Sequence, residues 1–188
     1  MTRAGGGRGR EQRPRAYEAA VRLLAPRALT VHELRARLAR RGYTLEEARD
    51  AVEDLLARGF LDDRALAYNV ATTLAERRLF GKTRVAAELA RRGVAAETIV
   101  EALERAFAGL DEDEMARKAA GRAGAVPVDK RTRERTARAL LRRGFSRGAV
   151  ARALERGGTA SEDDSDAAAA DIEESEELRH DDDFETDS

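Results

Sequence analysis

The chain has 188 residues, 35 Lys and Arg against 36 Asp and Glu for a formal charge of −1, and no cysteine. That excludes disulfides and thiolate chemistry and suits a reducing compartment. No apolar run approaches the roughly 18 residues of a spanning helix, so no membrane association is expected. The near-zero charge conceals a split. Residues 161–188 carry 14 acidic residues and one basic residue, Arg179, which leaves 34 basic and 22 acidic in residues 1–160. A body of +12 thus precedes a tail of −13. A body this basic has an electrostatic reason to bind polyanions.

Residues 1–13 form a basic Gly/Arg arm, expected to be disordered, without the apolar stretch of a secretion signal. A first helix is expected from Pro14 to about Ala25, ended by Pro26. Thr30-Val31-His32-Glu33 has capping-box spacing and opens a second helix, with Leu34 and Leu38 on one face and Gly42 at its C-terminal cap. Thr44-Leu45-Glu46-Glu47 is another capping box. It opens a helix with Ala48, Val52, Leu55 and Leu56 inward and Gly59 as its stop. Two caps so close together leave a short turn, as in a helix-turn-helix hairpin. A helix is next expected from Asp62, its N-cap, to Phe80, with Gly81 as stop. Another is expected from about Asp111 to Arg122, loosened by Gly121, Gly124 and Pro127.

The hairpin recurs. Leu38-Ala39-Arg40-Arg41-Gly42 is matched by Leu89-Ala90-Arg91-Arg92-Gly93 and Leu140-Leu141-Arg142-Arg143-Gly144, two steps of 51 residues. Downstream apolar positions repeat as well: Ala48, Ile99, Val150; then Val52, Leu103, Leu154. A period this regular marks copies of one supersecondary unit. The expected fold is all-α: three tandem three-helix units at 14–60, 61–109 and 110–158 in an elongated, curved body, with a disordered acidic tail at 159–188.

The Arg pairs have two readings. They compensate the negative ends of helix dipoles, or they form a row of positive charge for phosphates or acidic protein. For a single Arg either reading holds. For the whole array, including Arg131, Arg133, Arg135 and Arg138, binding is favoured, because an ordinary surface intersperses more acid. Gly81-Lys82-Thr83 is not read as a phosphate loop, since position 76 is Glu and a helix precedes it. His32 and His180 lack partners at metal-ligand spacing. Asp62-Asp63 reads as an N-cap and a first-turn acid, and Tyr43 as core. No enzyme activity, cofactor or metal is expected. A groove-reading helix in the hairpin is disfavoured by Glu46, Glu47, Asp50, Glu53 and Asp54 on its second helix.

Several segments, in this order and spacing, resemble the RecX family of recombination regulators. They are the Leu-x-Arg-Arg-Gly-Tyr turn, Gly59-Phe60-Leu61-Asp62-Asp63, the stretch from Arg78 to Leu89 with Arg92-Gly93-Val94, and Leu140 to Ser146. The likeness covers about residues 15–157. Leu66 stands where the family usually has Phe, and Phe80 where it often has Tyr; the acidic tail is outside the family pattern. The resemblance implies a cytoplasmic, monomeric, non-enzymatic modulator in DNA repair and the SOS response. It would bind RecA and the RecA filament on single-stranded DNA, restrain filament growth and strand exchange, and bind DNA weakly without sequence preference. The candidate partner-facing residues are Arg40, Arg41, Arg77, Lys82, Arg84, Arg91, Arg92, Arg142 and Arg143. The alternatives are a helix-turn-helix protein acting on nucleic acid without RecA, and a protein scaffold without nucleic acid.

A tail of −13 tethered to a body of +12 has a high local concentration. Removing residues 159–188 is expected to tighten single-stranded DNA binding at low salt, with the gain shrinking as salt rises. Anisotropy titrations at two ionic strengths check this; equal constants at low salt would leave the tail without a screening role.

Overall fold

The structure, a computed structural model, describes residues 8–122 and 129–155. Among the described residues there are nine helices and no strand. They are α1 (Arg8–Leu24), α2 (Val31–Arg40), α3 (Leu45–Ala57), α4 (Asp63–Glu76), α5 (Lys82–Arg91), α6 (Ala96–Ala106), α7 (Glu112–Arg122), α8 (Lys130–Arg142) and α9 (Arg147–Glu155). Helices pack in consecutive threes, α1–α3, α4–α6 and α7–α9, as the repeat requires. Residues 1–7 and the acidic tail lie outside the described residues. Residues 8–13, expected to be disordered, belong to α1. Arg8, Arg10, Glu11, Gln12 and Arg13 are good helix formers; Gly9 and Pro14, which lacks the N–H for the carbonyl four residues back, are not.

Both capping boxes form. Thr30 Oγ1 accepts from the Glu33 amide, and Thr44 Oγ1 from the Glu47 amide, while each Glu reaches back to its cap. Asp62 caps α4 by accepting from the amides of Arg64 and Ala65. Each basic turn then closes alike. The amides of Gly42, Gly93 and Gly144 donate to Ala39, Ala90 and Leu141, and those of Tyr43, Val94 and Phe145 to Leu38, Leu89 and Leu140. That pair of hydrogen bonds is a Schellman cap, and it needs the left-handed backbone seen at the three glycines, with φ of 84°, 75° and 86°. Val94 and Phe145 follow as buried side chains, and Tyr43 packs partly buried on the first unit's core.

Two further elements differ from expectation. Helix α4 stops at Glu76, short of Phe80, because the chain turns through Leu79 at φ 49° and the Phe80 amide closes on Leu74 O. A leucine there is strained by roughly 1–2 kcal/mol; its side chain is 5% exposed, and that burial offsets the strain. Gly81 is therefore the N-cap of α5 rather than the stop of α4. Leu56, expected inward, is 43% exposed, because Ala51 and Leu55 fill that face of α3.

The first unit buries its own core, from Ala16 to Leu61. The second and third share one continuous core, from Ala67 to Ala153. Units also meet where middle helices abut end to end. Thr30 Oγ1, capping α2, donates to Arg92 O at the end of α5 at 2.6 Å. The Gly81 amide, capping α5, donates to Arg143 O at the end of α8 at 2.8 Å. Both donors and both acceptors are 51 residues apart, so one joint occurs twice.

The glycines in these joints differ from the glycine outside them. A Cβ on Gly93 would lie 2.4 Å from His32 Cγ, and one on Gly144 would lie 2.3 Å from the Arg84 backbone nitrogen, whereas one on Gly42 meets nothing within 4 Å among the described residues. Gly42→Ala is expected to cost only the left-handed strain, about 1 kcal/mol. Gly93→Ala is expected to cost more, and Gly144→Ala most, because backbone has to move. Urea melts of the three variants check the order; equal losses would mean that the joints do not constrain the turns.

Candidate partner-binding surface

The repeat places two arginines at the end of each middle helix, and the structure separates their roles. The first of each pair, Arg40, Arg91 and Arg142, is exposed. Arg91 forms an ion pair with Glu88 one turn back, at 2.6 Å. The second of each pair sits at the joint. Arg92 donates from Nε and Nη2 to the two carboxylate oxygens of Glu33, both at 2.9 Å, and from Nη2 to Ala28 O at 3.1 Å. Arg143 donates to Arg78 O at 2.9 Å and lies 5.8 Å from the Phe80 ring centroid. Arg41, the first unit's counterpart, is exposed and has no side-chain partner among the described residues.

The other candidates gather near the second joint. Arg77, Lys82 and Arg84 are exposed. Lys82 stands 5.7 Å from the Phe107 ring and Arg84 5.7 Å from the Phe80 ring. Arg122 donates to the backbone carbonyl of Arg77 at 2.8 Å. Of the nine candidates, seven are thus exposed, and Arg92 and Arg143 are half-buried struts between units. Helix α8 adds Lys130, Arg131, Arg133, Arg135 and Arg138, all exposed, of which Arg138 pairs with Glu134. Gly81 offers no phosphate cradle: its amide is engaged by Arg143 O, and a Cβ there would lie 2.2 Å from Gly144 O. Asp50, counted among the acids on the hairpin's second helix, is buried and paired with Arg49 at 3.2 Å.

Sequence reasoning missed two acids that hold the first joint. Glu33 serves its capping box and Arg92 together. Asp63, read as a first-turn acid of α4, accepts from the Val31 amide across the unit boundary at 2.9 Å. Their titrations oppose each other. Burial pushes Glu33 up, but the hydrogen bonds from Arg92 and the Thr30 amide, with the Arg92 charge, outweigh it and hold it below its ordinary value. Burial leads at Asp63 too, and the charges of Glu33 and Asp62 reinforce it against the Val31 bond, so its carboxyl is raised.

Arg92 and Glu33 are only 17% and 21% exposed, so their pair is little screened. Arg92→Ala, which strands Glu33, is expected to cost about 2 kcal/mol. A lowered carboxyl stabilises the fold above its unfolded value, and loses that as pH falls through the folded one. The advantage of wild type over Glu33→Gln is therefore expected at neutral pH and to vanish in acid. A raised carboxyl has the opposite sign. Asp63→Asn, which keeps an acceptor for Val31, is expected to stabilise at neutral pH, with the gain fading as wild-type Asp63 protonates. Melts followed by circular dichroism from pH 7 downward check both signs.

Comparison with known proteins places these features. The family description "RecX, first three-helix domain" matches residues 16–55, and "RecX, second three-helix domain" matches residues 62–103. The chain is 38% identical over 133 residues to the regulatory protein RecX of Trichlorobacter lovleyi, covering 69% of this chain and 86% of that one. It is 40% identical over 130 residues to that of Halorhodospira halophila, covering 69% and 80%. Among solved structures, RecX from Lactobacillus salivarius superposes with a TM-score of 0.64 at 16% identity, over 77% of this chain and 96% of that one, a likeness of fold. With the same three-helix units matched in order and relatives aligned across most of their length, the chain belongs to the RecX family.

Proposed function

We propose that this chain modulates the RecA recombinase, mainly negatively, by binding RecA and its filament on single-stranded DNA. The observation that carries the reading is the exposed basic surface: Arg40, Arg41, Arg77, Lys82, Arg84, Arg91 and Arg142, continued by α8. Family membership supports the choice of RecA over other acidic partners. The body lies against more than one filament subunit, and its cations meet acidic RecA surface or the phosphates of the bound strand. It acts by binding, as a cytoplasmic monomer, and needs no cofactor and no catalytic group. No helix among the described residues is long and apolar enough to cross a membrane.

A second reading, DNA binding without RecA, is favoured by the third unit alone. Helix α8 exposes a run of cations around one Glu134, and α9 has no acid in its first turn. The first unit speaks against groove insertion, since α3 exposes Glu46, Glu53 and Asp54.

The deciding experiment compares two charge-matched variants on RecA's DNA-dependent ATP hydrolysis and strand exchange. The first replaces Arg77, Lys82, Arg84 and Arg91 by Ala and spares Arg92, whose loss would break a joint. Exposed charges contribute about 0.2–1 kcal/mol each, so the half-effective concentration is expected to rise roughly tenfold with helicity unchanged. The second replaces Arg3, Arg8, Arg10 and Arg13 and is expected to act more weakly. Equal losses, in step with DNA affinity, would make bulk charge the cause; no effect of wild type on RecA at any ratio would move the DNA-binding reading to first place.

A further inference from the structure

We propose that the free end of α2, at Arg40, Arg41 and Gly42, is a docking socket for the N-terminus of a helix in another protein. That helix carries a Ser or Thr N-cap and a Glu three residues on, as α2 does at Arg92, rather than the Gly81 and Arg84 that α5 brings to Arg143. The support lies within the chain, because the same socket is built three times and is filled twice. At the end of α5, Arg92 gives its carbonyl to Thr30 Oγ1 and its guanidinium to Glu33 and Ala28 O, while Gly93 lies against His32. At the end of α8, Arg143 gives its carbonyl to the Gly81 amide and its guanidinium to Arg78 O, while Gly144 lies against Arg84. In both, the occupant is the first turn of a helix with the backbone just before it. The guanidinium grips a carbonyl two or three residues ahead of the N-cap.

The third socket has the same parts in the same geometry. Gly42 has φ 84°, and among the described residues Arg41 is exposed without a side-chain partner and no atom lies within 4 Å of a Cβ on Gly42. Its cations sit at the negative end of α2, so a helix start that donates to the last carbonyl and bears a carboxylate for the guanidinium complements both. A second copy of this chain fits poorly. The corresponding free helix start is that of α8, whose first turn holds Lys130, Arg131 and Arg133 and no acid. Its N-cap is Asp129, but both carboxylate oxygens are taken by the amide and hydroxyl of Thr132, so the three cations would face Arg40 and Arg41. The inference does not rest on the RecA reading, and its test contains no RecA.

The probe is a labelled peptide of residues 26–36 of this chain, the natural occupant of the Arg92 socket, held helical by an i,i+4 staple. It is titrated with the full chain at about 0.15 M salt. Saturable binding is expected. Arg41→Glu in the chain, or Gln for Glu33 in the peptide, is expected to weaken it at least tenfold, while Arg35→Ala leaves it unchanged. Circular dichroism confirms that Arg41→Glu remains folded. The proposal is overturned if no saturable binding occurs, if the peptide ignores Arg41, or if Arg92→Ala abolishes binding instead, which would mean exchange at the existing joint. Deletion of residues 159–188 that tightens binding tenfold would assign the socket to the chain's own tail. Arg41-dependent dimerisation in sedimentation would assign it to a second copy. Either result overturns the proposal.

Discussion

A helix end leaves its last carbonyls unsatisfied, and the next helix start leaves its first amides unsatisfied. In this protein a carbonyl left over at one unit's helix end is met by a donor at a neighbouring unit's helix start. Arg92 O takes the Thr30 hydroxyl, and Arg143 O takes the Gly81 amide, so α5 ends on α2 and α8 ends on α5. Helix dipoles of the same sense then follow one another across unit boundaries. The rest of the arrangement depends on this. The turns must be glycine so that backbones touch, and the second arginine must bend back to hold the incoming segment.

The same constraint divides the charge. A basic pair looks like one feature in the sequence, but only the second member reaches the joint. The first stays in solvent because it lies about 100° around the helix from its neighbour. The turns at the two joints therefore contribute to cohesion with one arginine and to the surface field with the other, whereas the first turn leaves both in solvent. Exchanging the two kinds in a mutational design would confuse loss of fold with loss of contact.

Local rules carried much of this architecture. The capping boxes at Thr30 and Thr44, the N-cap at Asp62 and the three glycine turns were legible because each is written within five residues. The end of α4 was not, since no Gly or Pro marks it and Leu79 takes the left-handed position through burial. The inter-unit roles of Arg92, Arg143 and Asp63 were also hidden. Their partners lie 59, 65 and 32 residues away, and no local pattern encodes the pairing. The exact repeat held one clue: a basic pair kept in three units, beside a glycine, marks a packed turn as well as a charged one. The candidate surface was legible as a list of cations. Which of them the fold had already engaged was not.

The unequal cores have a consequence for how the chain is made. The first unit closes on itself by Leu61, whereas the core of the second runs on to Ala153 in the third. A ribosome adding about 5–20 residues per second therefore releases a finished N-terminal unit about 5–20 s before the remaining core is complete. During that interval the new unit offers Thr30 and Glu33 as a fixed template. The turn at Arg92 emerges early in it and closes against a surface already folded, so assembly proceeds in one direction along the chain.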